Sequence, residues 1–224
     1  MVKNILWDLD GTIVESEDVA FKKRMFSYAS EKINLNFLLS PEEFIGHEAK
    51  NIFTLLLKKN EVSVTEDYFS LYNNWYEDAV NFIISNIELV KPRDNIVEIW
   101  KECSNNGIKN SVVTSSRIDV ANAYLSNIGL LDFCETLVCI NDVKEPKPSP
   151  IPYQTALDRL QISEKYCIAI EDSTSGINSA VSANIYTIAW VKNSKESKYF
   201  NANLVTEKLD YMLINKSFSS LYAK

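Results

Sequence analysis

Short apolar runs alternate with stretches of helical periodicity along the second part of the sequence, from Lys91 onward. The runs that are apolar enough to be buried strands are Ser111–Thr114, Leu137–Ile140, Cys167–Ile170 and Tyr186–Trp190. Strands that are separated by helices usually join a parallel sheet whose two faces the helices cover. With residues 1–13 as a first strand and its turn, the sequence predicts an α/β fold with a parallel sheet.

Residues 14–90 differ from the rest of the sequence because they show several helical patterns and no convincing strand. The longest pattern is a stripe rich in tyrosine and tryptophan that extends from Tyr68 to Ile84. Such a stripe is more often helix–helix core than a binding surface, and we interpret it as core. The predicted organisation is a sheet domain of residues 1–13 and 91–224, with a helical domain inserted after the first strand.

Composition limits the classes of partner. A net charge of −7 over 224 residues argues against nucleic acid or an anionic membrane as a main partner, although it leaves room for a small anionic substrate. No segment approaches the ~18 apolar residues that a membrane-spanning helix needs, and the N-terminus does not resemble a signal peptide. The four cysteines form no C-x-x-C pair, so we expect buried thiols in a reducing compartment and a cytoplasmic protein.

Two aspartates, Asp8 and Asp10, end the first apolar run and are followed by Gly11. If the strand continues through Asp10, alternation places both carboxylates on one side of the sheet. Carboxylates this close raise each other's pKa unless a cation or a donor lies between them. The pair therefore favours chemistry in which one carboxylate attacks or holds a metal while the other moves a proton. The simpler interpretation is a strand that ends in a solvated Asp-Gly turn.

Polar residues with complementary chemistry follow the other predicted strands. They are Thr114, Ser115 and Ser116 after the second strand, Lys147 after the third, and Glu171 and Asp172 after the fourth. Ligands of such sheets bind beyond the carboxyl ends of the strands. The acids suit Mg²⁺, and a hydroxyl with a lysine suits a phosphate. Taken singly, the groups also fit a polar loop or helix cap at residues 114–116, a stiff turn at Lys147 and a helix cap at residues 171–173.

Four short motifs in this order resemble the signature of the haloacid dehalogenase superfamily. They are Asp8-Leu9-Asp10-Gly11-Thr12, Thr114, Lys147-Pro148 and Glu171-Asp172. The match spans the chain, and the inserted helical domain, residues 14–90, resembles the α-helical cap of the branch that contains phosphatases and β-phosphoglucomutases. The resemblance implies a Rossmann-like core with a doubly wound parallel sheet, and a cap that is hinged near residues 13–16 and 86–92.

The resemblance implies catalytic roles for four residues. Asp8 would be the nucleophile that accepts the phosphoryl group, Asp10 the general acid/base, and Thr114 and Lys147 the groups that hold the phosphate. The expected enzyme is a magnesium-dependent phosphatase that hydrolyses a small organic phosphomonoester, such as a sugar phosphate or a phosphoglycolate-like ester, through an aspartyl-phosphate. The alternatives are a β-phosphoglucomutase-like phosphosugar mutase and a catalytically silent binding protein of the same fold.

The resemblance also implies the cofactor and the partner. Mg²⁺ would be held by Asp8, by the main-chain carbonyl of Asp10 and by Asp172, with Glu171 in support. The expected partner is a small phosphorylated metabolite, and the expected assembly is a monomer or a weak dimer.

Further substrate-binding candidates are Ser115 and Ser116 beside Thr114, and Gly46, His47 and Lys50 in the cap. Many related phosphatases carry Gly-Arg where this chain has Gly46-His47, and a lone histidine is more often a satisfied surface residue than a ligand. β-Phosphoglucomutases carry a cap histidine at the position of Ala20. A methyl group cannot donate or accept a hydrogen bond, so the sequence favours hydrolysis over isomerisation.

Overall fold

In the computed structural model, which describes residues 2–45, 47–63, 67–199 and 201–222, the chain divides into two units. One unit comprises Met1–Glu15 and Lys91–Lys224, and the other comprises Ser16–Val90. The predicted inserted domain, residues 14–90, differs from the second unit by two residues at its start.

The described residues of the first unit form six strands. They are β1 (Lys3–Trp7), β2 (Ile108–Val113), β3 (Leu137–Val138), β4 (Cys167–Glu171), β5 (Tyr186–Trp190) and β6 (Leu204–Thr206). Their order across the sheet is β3-β2-β1-β4-β5-β6, and every neighbouring pair is parallel. Strands β2 and β3 lie on one side of β1, and β4, β5 and β6 lie on the other side. Because β1 lies between β2 and β4 and the strands are parallel, the carboxyl ends of these three strands are neighbours. The predicted α/β fold is confirmed.

The central strand β1 is apolar because both of its faces are covered. Leu6 and Trp7 are fully buried, as expected for a parallel strand with helices on both sides. Trp7 pairs with Val112 of β2 and with Ile170 of β4. The next residue, Asp8, extends this pairing, since its backbone nitrogen donates to Ile170 O at 2.9 Å. The register therefore places Asp8 at the ends of two neighbouring strands.

The described part of the second unit is helical. Its helices are α1 (Val19–Lys32), α2 (Pro41–Phe44), α3 (Ala49–Lys59) and α4 (Tyr68–Ser85). Asp18 caps α1 by accepting a hydrogen bond from Phe21 N at 2.8 Å. In the core, the rings of Phe26 and Trp75 stack with centroids 5.2 Å apart, and Trp75 Nε1 donates to Ser30 Oγ at 3.1 Å. The aromatic stripe of α4 therefore packs between helices, as predicted.

Within its described residues, the first unit also has five α-helices: α5 (Ile96–Asn105), α6 (Ile118–Asn127), α7 (Ile151–Leu160), α8 (Thr174–Ser182) and α9 (Tyr211–Tyr222). The sheet differs from the prediction in that β3 has only two residues and β6 was not predicted. Strand β6 is a three-residue edge strand whose residues are only half-buried, so it lacks the apolar run on which the prediction depends. No helix within the described residues is both long and apolar enough to cross a membrane.

Candidate active site

The chain turns directly after β1, within a segment that we call the acidic loop (residues 8–14). Ile13 N donates to Leu9 O at 2.8 Å, which closes the turn. Gly11 has a φ of +82°, in the left-handed region that glycine adopts without strain. The strand therefore does not continue through Asp10, and the turn, rather than strand alternation, sets the direction of the Asp10 side chain.

Lys147 lies at the centre of the buried part of the site. Its Nζ is 2.6 Å from Asp8 Oδ1, 2.7 Å from Glu171 Oε1 and 2.8 Å from Val113 O. These partners come from the acidic loop, from the end of β4 and from the end of β2. The ammonium has three N–H donors, and each has an acceptor here. Lys147 is therefore buried rather than the exposed residue of a stiff turn.

Glu171 is fully buried at the end of β4 and accepts a second hydrogen bond at the same oxygen. Tyr153 Oη, from α7, donates to Glu171 Oε1 at 2.6 Å. Gly176, in the first turn of α8, leaves space for the carboxylate, because a Cβ there would overlap its oxygens. Lys147, Tyr153 and Gly176 together fix one orientation of the Glu171 side chain.

Asp172 follows Glu171 and lies against the acidic loop. A Cβ on Gly11 would overlap Asp172 Oδ2, so the loop approaches this carboxylate as closely as only glycine allows. Thr12 Oγ1 lies 3.4 Å from Asp172 Oδ1. Gly11 and Thr12 of the acidic loop therefore both contact Asp172.

Asp10 is directed at the hydroxyl groups that follow β2. Ser116 Oγ donates to Asp10 Oδ2 at 2.6 Å, and Thr114 Oγ1 lies 3.3 Å from the same oxygen. Ser116 N in turn donates to Thr114 Oγ1 at 2.9 Å. The structure brings Thr114 and Ser116 to the predicted general acid/base, whereas Ser115 between them is exposed.

Burial dominates the electrostatics of these groups. It raises the pKa of Asp8 well above its usual value, Glu171 raises it further, and Lys147 opposes the shift. Burial alone would lower the pKa of Lys147, but Asp8 and Glu171 outweigh it and hold that pKa above its ordinary value. Burial and the Glu171 charge both raise the pKa of Tyr153. At neutral pH, Lys147 is therefore a cation and Tyr153 is a neutral donor.

Three carboxylates lie close enough to share a cation. One oxygen each from Asp8, Glu171 and Asp172 lies within 4.8 Å of the other two. Hard divalent cations such as Mg²⁺ prefer carboxylate oxygens, so this donor set fits such an ion. The Asp10 carboxylate is directed at Ser116 instead. The part of Asp10 that is predicted to bind the metal is its main-chain carbonyl.

The candidates in the helical unit make local contacts. His47 Nε2 lies 3.2 Å from Glu42 O, and Lys50 Nζ lies 5.8 Å from the centroid of the Phe69 ring. Both His47 and Lys50 are exposed, and Gly46 lies outside the described residues. Their role in substrate binding stays a prediction.

The sequence did not point to Tyr153 or Arg93. Tyr153 holds Glu171, and Arg93 Nη1 donates to Gly11 O at 3.0 Å and to Trp190 O at 2.8 Å. The only available signals are their positions: Tyr153 lies in the first turn of the helix after Lys147, and Arg93 lies where the chain returns from the helical unit. Neither position by itself identifies the contact.

The motifs and their geometry agree with one known family. A family model described as a haloacid dehalogenase-like hydrolase matches residues 5–190. The chain belongs to this family. Both the predicted family and the predicted enzyme class are therefore confirmed.

Individual relatives of this haloacid dehalogenase-like hydrolase are distant. A candidate pyrophosphatase PpaX from Caldanaerobacter subterraneus subsp. tengcongensis is 29% identical over 187 residues, which cover 83% of this chain and 80% of the relative. The crystal structure of CbbY from Rhodobacter sphaeroides in complex with phosphate has a TM-score of 0.79 at 20% identity, covering 93% of this chain and 95% of that one. β-Phosphoglucomutase from Clostridium difficile has a TM-score of 0.75 at 21% identity over 100% of both chains. The two structures show the same fold.

Proposed function

We propose that this haloacid dehalogenase-like hydrolase is a magnesium-dependent phosphatase that transfers the phosphoryl group of a small organic phosphomonoester first to Asp8 and then to water. The observation that carries the proposal is the position of Asp8. Its carboxylate contacts the Lys147 ammonium at 2.6 Å and belongs to one acidic cluster with Glu171 and Asp172. A carboxylate nucleophile, a fixed cation and a site for a divalent ion are the groups that phosphoryl transfer to a carboxylate needs.

In the first step, a carboxylate oxygen of Asp8 attacks phosphorus and the bond from phosphorus to the substrate oxygen breaks. The product is an aspartyl-phosphate, and the leaving alkoxide takes a proton from Asp10. In the second step, Asp10 removes a proton from water, the water oxygen attacks phosphorus and the Asp8 carboxylate is released. Two displacements replace one difficult one. Hydrogen bonds from Ser116 and Thr114 hold the Asp10 carboxyl for both proton transfers.

Lys147 offsets the repulsion between the Asp8 carboxylate and the anionic phosphoryl oxygens. Glu171 and Val113 O fix the ammonium, so it needs little reorganisation when charge develops on the phosphoryl group. Tyr153 stabilises this arrangement indirectly by holding Glu171.

The proposed cofactor is Mg²⁺, which Asp8, Asp172 and the main-chain carbonyl of Asp10 would hold with support from Glu171. When bound, it supplies a second positive charge beside the phosphoryl oxygens. The chain itself supplies the site by bringing together two buried carboxylates and the half-buried Asp172, and burial with the neighbouring negative charges raises the pKa of Asp8.

The proposed substrate is a small phosphorylated metabolite. Because a relative is named as a candidate pyrophosphatase, inorganic pyrophosphate is a second candidate, and the same attack by Asp8 would cleave its phosphoanhydride. We favour hydrolysis over isomerisation because Ala20, at the position that resembles the cap histidine of β-phosphoglucomutases, offers only a methyl group.

The direct test measures phosphate release from a panel of phosphomonoesters and pyrophosphate, with and without Mg²⁺. Release should require Mg²⁺, and Asp8→Asn should reduce turnover to background while circular dichroism shows an intact fold. Asp158→Asn, at an exposed position of α7, is the matched control and should keep wild-type turnover. More than a few per cent of activity in Asp8→Asn would rule out the covalent mechanism.

Two further measurements address Asp10 and the mutase alternative. Asp10→Asn should depress turnover strongly with little change in the thermal midpoint, and loss of the fold at moderate temperature would remove the support for its acid/base role. With β-glucose 1-phosphate and a trace of the bisphosphate, free phosphate should form faster than glucose 6-phosphate. The reverse order would assign the protein to the mutases.

A further inference from the structure

Arg93 links three separate segments of the first unit. Its Nη1 donates to Gly11 O at 3.0 Å and to Trp190 O at 2.8 Å, and its backbone nitrogen donates to Ile13 O at 2.9 Å. Its guanidinium carbon lies 3.6 Å from the centroid of the Trp190 ring. The acidic loop is therefore attached, through one half-buried side chain, to the end of β5 and to the residues where the chain returns from the helical unit.

The Gly11 peptide that Arg93 holds also limits the position of Asp172. The Asp172 carboxylate occupies the space that a Cβ on Gly11 would fill, and Thr12 Oγ1 lies 3.4 Å from its other oxygen. A shift of the Gly11 peptide would either press on this carboxylate or leave it unsupported. The placement of Gly11 thus decides where Asp172 can offer its oxygens.

We propose that Arg93 is a positioning residue which holds the Gly11 peptide, and through it the Asp172 carboxylate, in the orientation that binds a divalent cation. The inference rests on the proposed function, because it assumes that Asp172 is a ligand of that cation. Arginine suits the role since a planar guanidinium can stack on an indole ring while it donates to two carbonyl oxygens.

The charge of Arg93 and its hydrogen bonds have opposite effects on cation binding. The Arg93 guanidinium contacts Gly11, which lies against the Asp172 carboxylate, and the charge of Asp172 opposes the lowering of the Arg93 pKa that burial causes. A positive charge there repels a bound cation. If charge dominated, removal of Arg93 would tighten cation binding. If positioning dominates, removal weakens binding because Asp172 loses its orientation.

The test measures Mg²⁺ binding to substrate-free protein by isothermal titration calorimetry, together with the rise in thermal midpoint that Mg²⁺ causes. We expect Arg93→Met and Arg93→Lys to bind Mg²⁺ about 10–100-fold more weakly than wild type, as is typical when a group that orients a metal ligand is lost. The lysine variant keeps the charge but has a shorter side chain and no planar group to stack on the Trp190 ring, so it should not restore binding. Thermal midpoints in EDTA show that each variant is folded.

Arg159→Met is the matched control. Arg159 also donates to a backbone carbonyl, Leu137 O at 2.8 Å, and to a carboxylate, Asp142 Oδ1 at 2.6 Å, neither of which belongs to the acidic cluster. Wild-type or tighter Mg²⁺ binding in Arg93→Met and Arg93→Lys would overturn the inference and leave the proposed function intact. Absence of Mg²⁺ binding in the wild-type protein would overturn both. If Arg93→Met does not fold, Arg93→Lys decides the outcome.

Discussion

The Nζ atom of Lys147 lies 2.6 Å from Oδ1 of Asp8, although the two residues are 139 positions apart in the sequence. The pair is buried, with side-chain exposures of 4% for Lys147 and 10% for Asp8, so water and salt screen its charges little. Glu171 contacts the same ammonium from the end of β4. One cation is therefore shared by two carboxylates that the fold holds away from water.

Substitution of Lys147 should reduce both stability and activity. Lys147→Met leaves two buried carboxylates without their cation, and loss of one partner of a buried ion pair typically destabilises a protein by about 3–5 kcal/mol. We expect a loss of this size in urea denaturation of the metal-free protein, and no detectable phosphate release.

Lys109→Met is the control for this experiment. Lys109 Nζ is 3.0 Å from Glu135 Oε2, but both side chains are about half exposed, so the change should alter stability by less than about 1 kcal/mol. Adding Glu171→Gln to Lys147→Met removes one of the uncompensated charges and should recover part of the lost stability. Equal urea midpoints for wild type and Lys147→Met would contradict the expected cost of the buried charges.

The Gly11→Ala substitution should lower turnover by more than its effect on stability explains. Gly11 and Gly107 both have a positive φ, of +82° and +75°, so Gly→Ala at either should cost about 1–2 kcal/mol of stability. They differ in their surroundings, since a Cβ at Gly107 meets nothing within 4 Å whereas one at Gly11 overlaps Asp172 Oδ2. We therefore expect Gly107→Ala to keep wild-type turnover and Gly11→Ala to lose most of it. Equal turnover in the two variants, at equal folded fraction, would show that the Gly11–Asp172 contact is unimportant.

The sequence was sufficient to predict the residues at the strand ends, for a physical reason. The carboxyl ends of parallel strands meet at one edge of a sheet, so the strand prediction alone brings Asp8 and Glu171 together. In the structure, Lys147 contacts both carboxylates. Lys147 lies well beyond the end of β3, so its exact position depends on the intervening loop and not on strand order alone.

The contacts that orient the site could not be predicted in the same way. The direction of Asp10 depends on the turn at Gly11, and the contacts of Tyr153 and Arg93 depend on how α7 and the returning chain pack. Such side chains carry no local pattern, because only the packed structure determines which acceptor they reach. Strand β6 was missed for a related reason, since a short half-buried edge strand has weak periodicity.

The cysteine thiols should be unreactive in the folded protein. Burial raises the pKa of Cys103, Cys139 and Cys167 to about 12 and that of Cys134 to about 11. A thiol stays neutral below its pKa and only the thiolate is nucleophilic, so modification by iodoacetamide at pH 8 should be slow. Mass spectrometry should find Cys134, which is the least buried, modified first. In denaturant all four should react quickly, and rapid labelling of Cys103 in native protein would contradict the described burial.

Loss of the Ser116 hydroxyl should lower kcat rather than weaken substrate binding. Ser116 Oγ donates to Asp10 Oδ2 at 2.6 Å, and Ser163 Oγ donates to Glu164 Oε2 at the same distance outside the site, so Ser163→Ala is a matched control. A hydrogen bond to a charged group contributes about 1.5–3 kcal/mol, and if it is needed to orient Asp10 in the transition state, Ser116→Ala should lower kcat roughly 10-fold or more. The KM should change little, and Ser163→Ala should retain wild-type kinetics. The opposite result, a raised KM with unchanged kcat, would indicate that Ser116 binds the substrate equally in the ground state and the transition state. Ser116 would then be the substrate-binding residue that the sequence motif predicted.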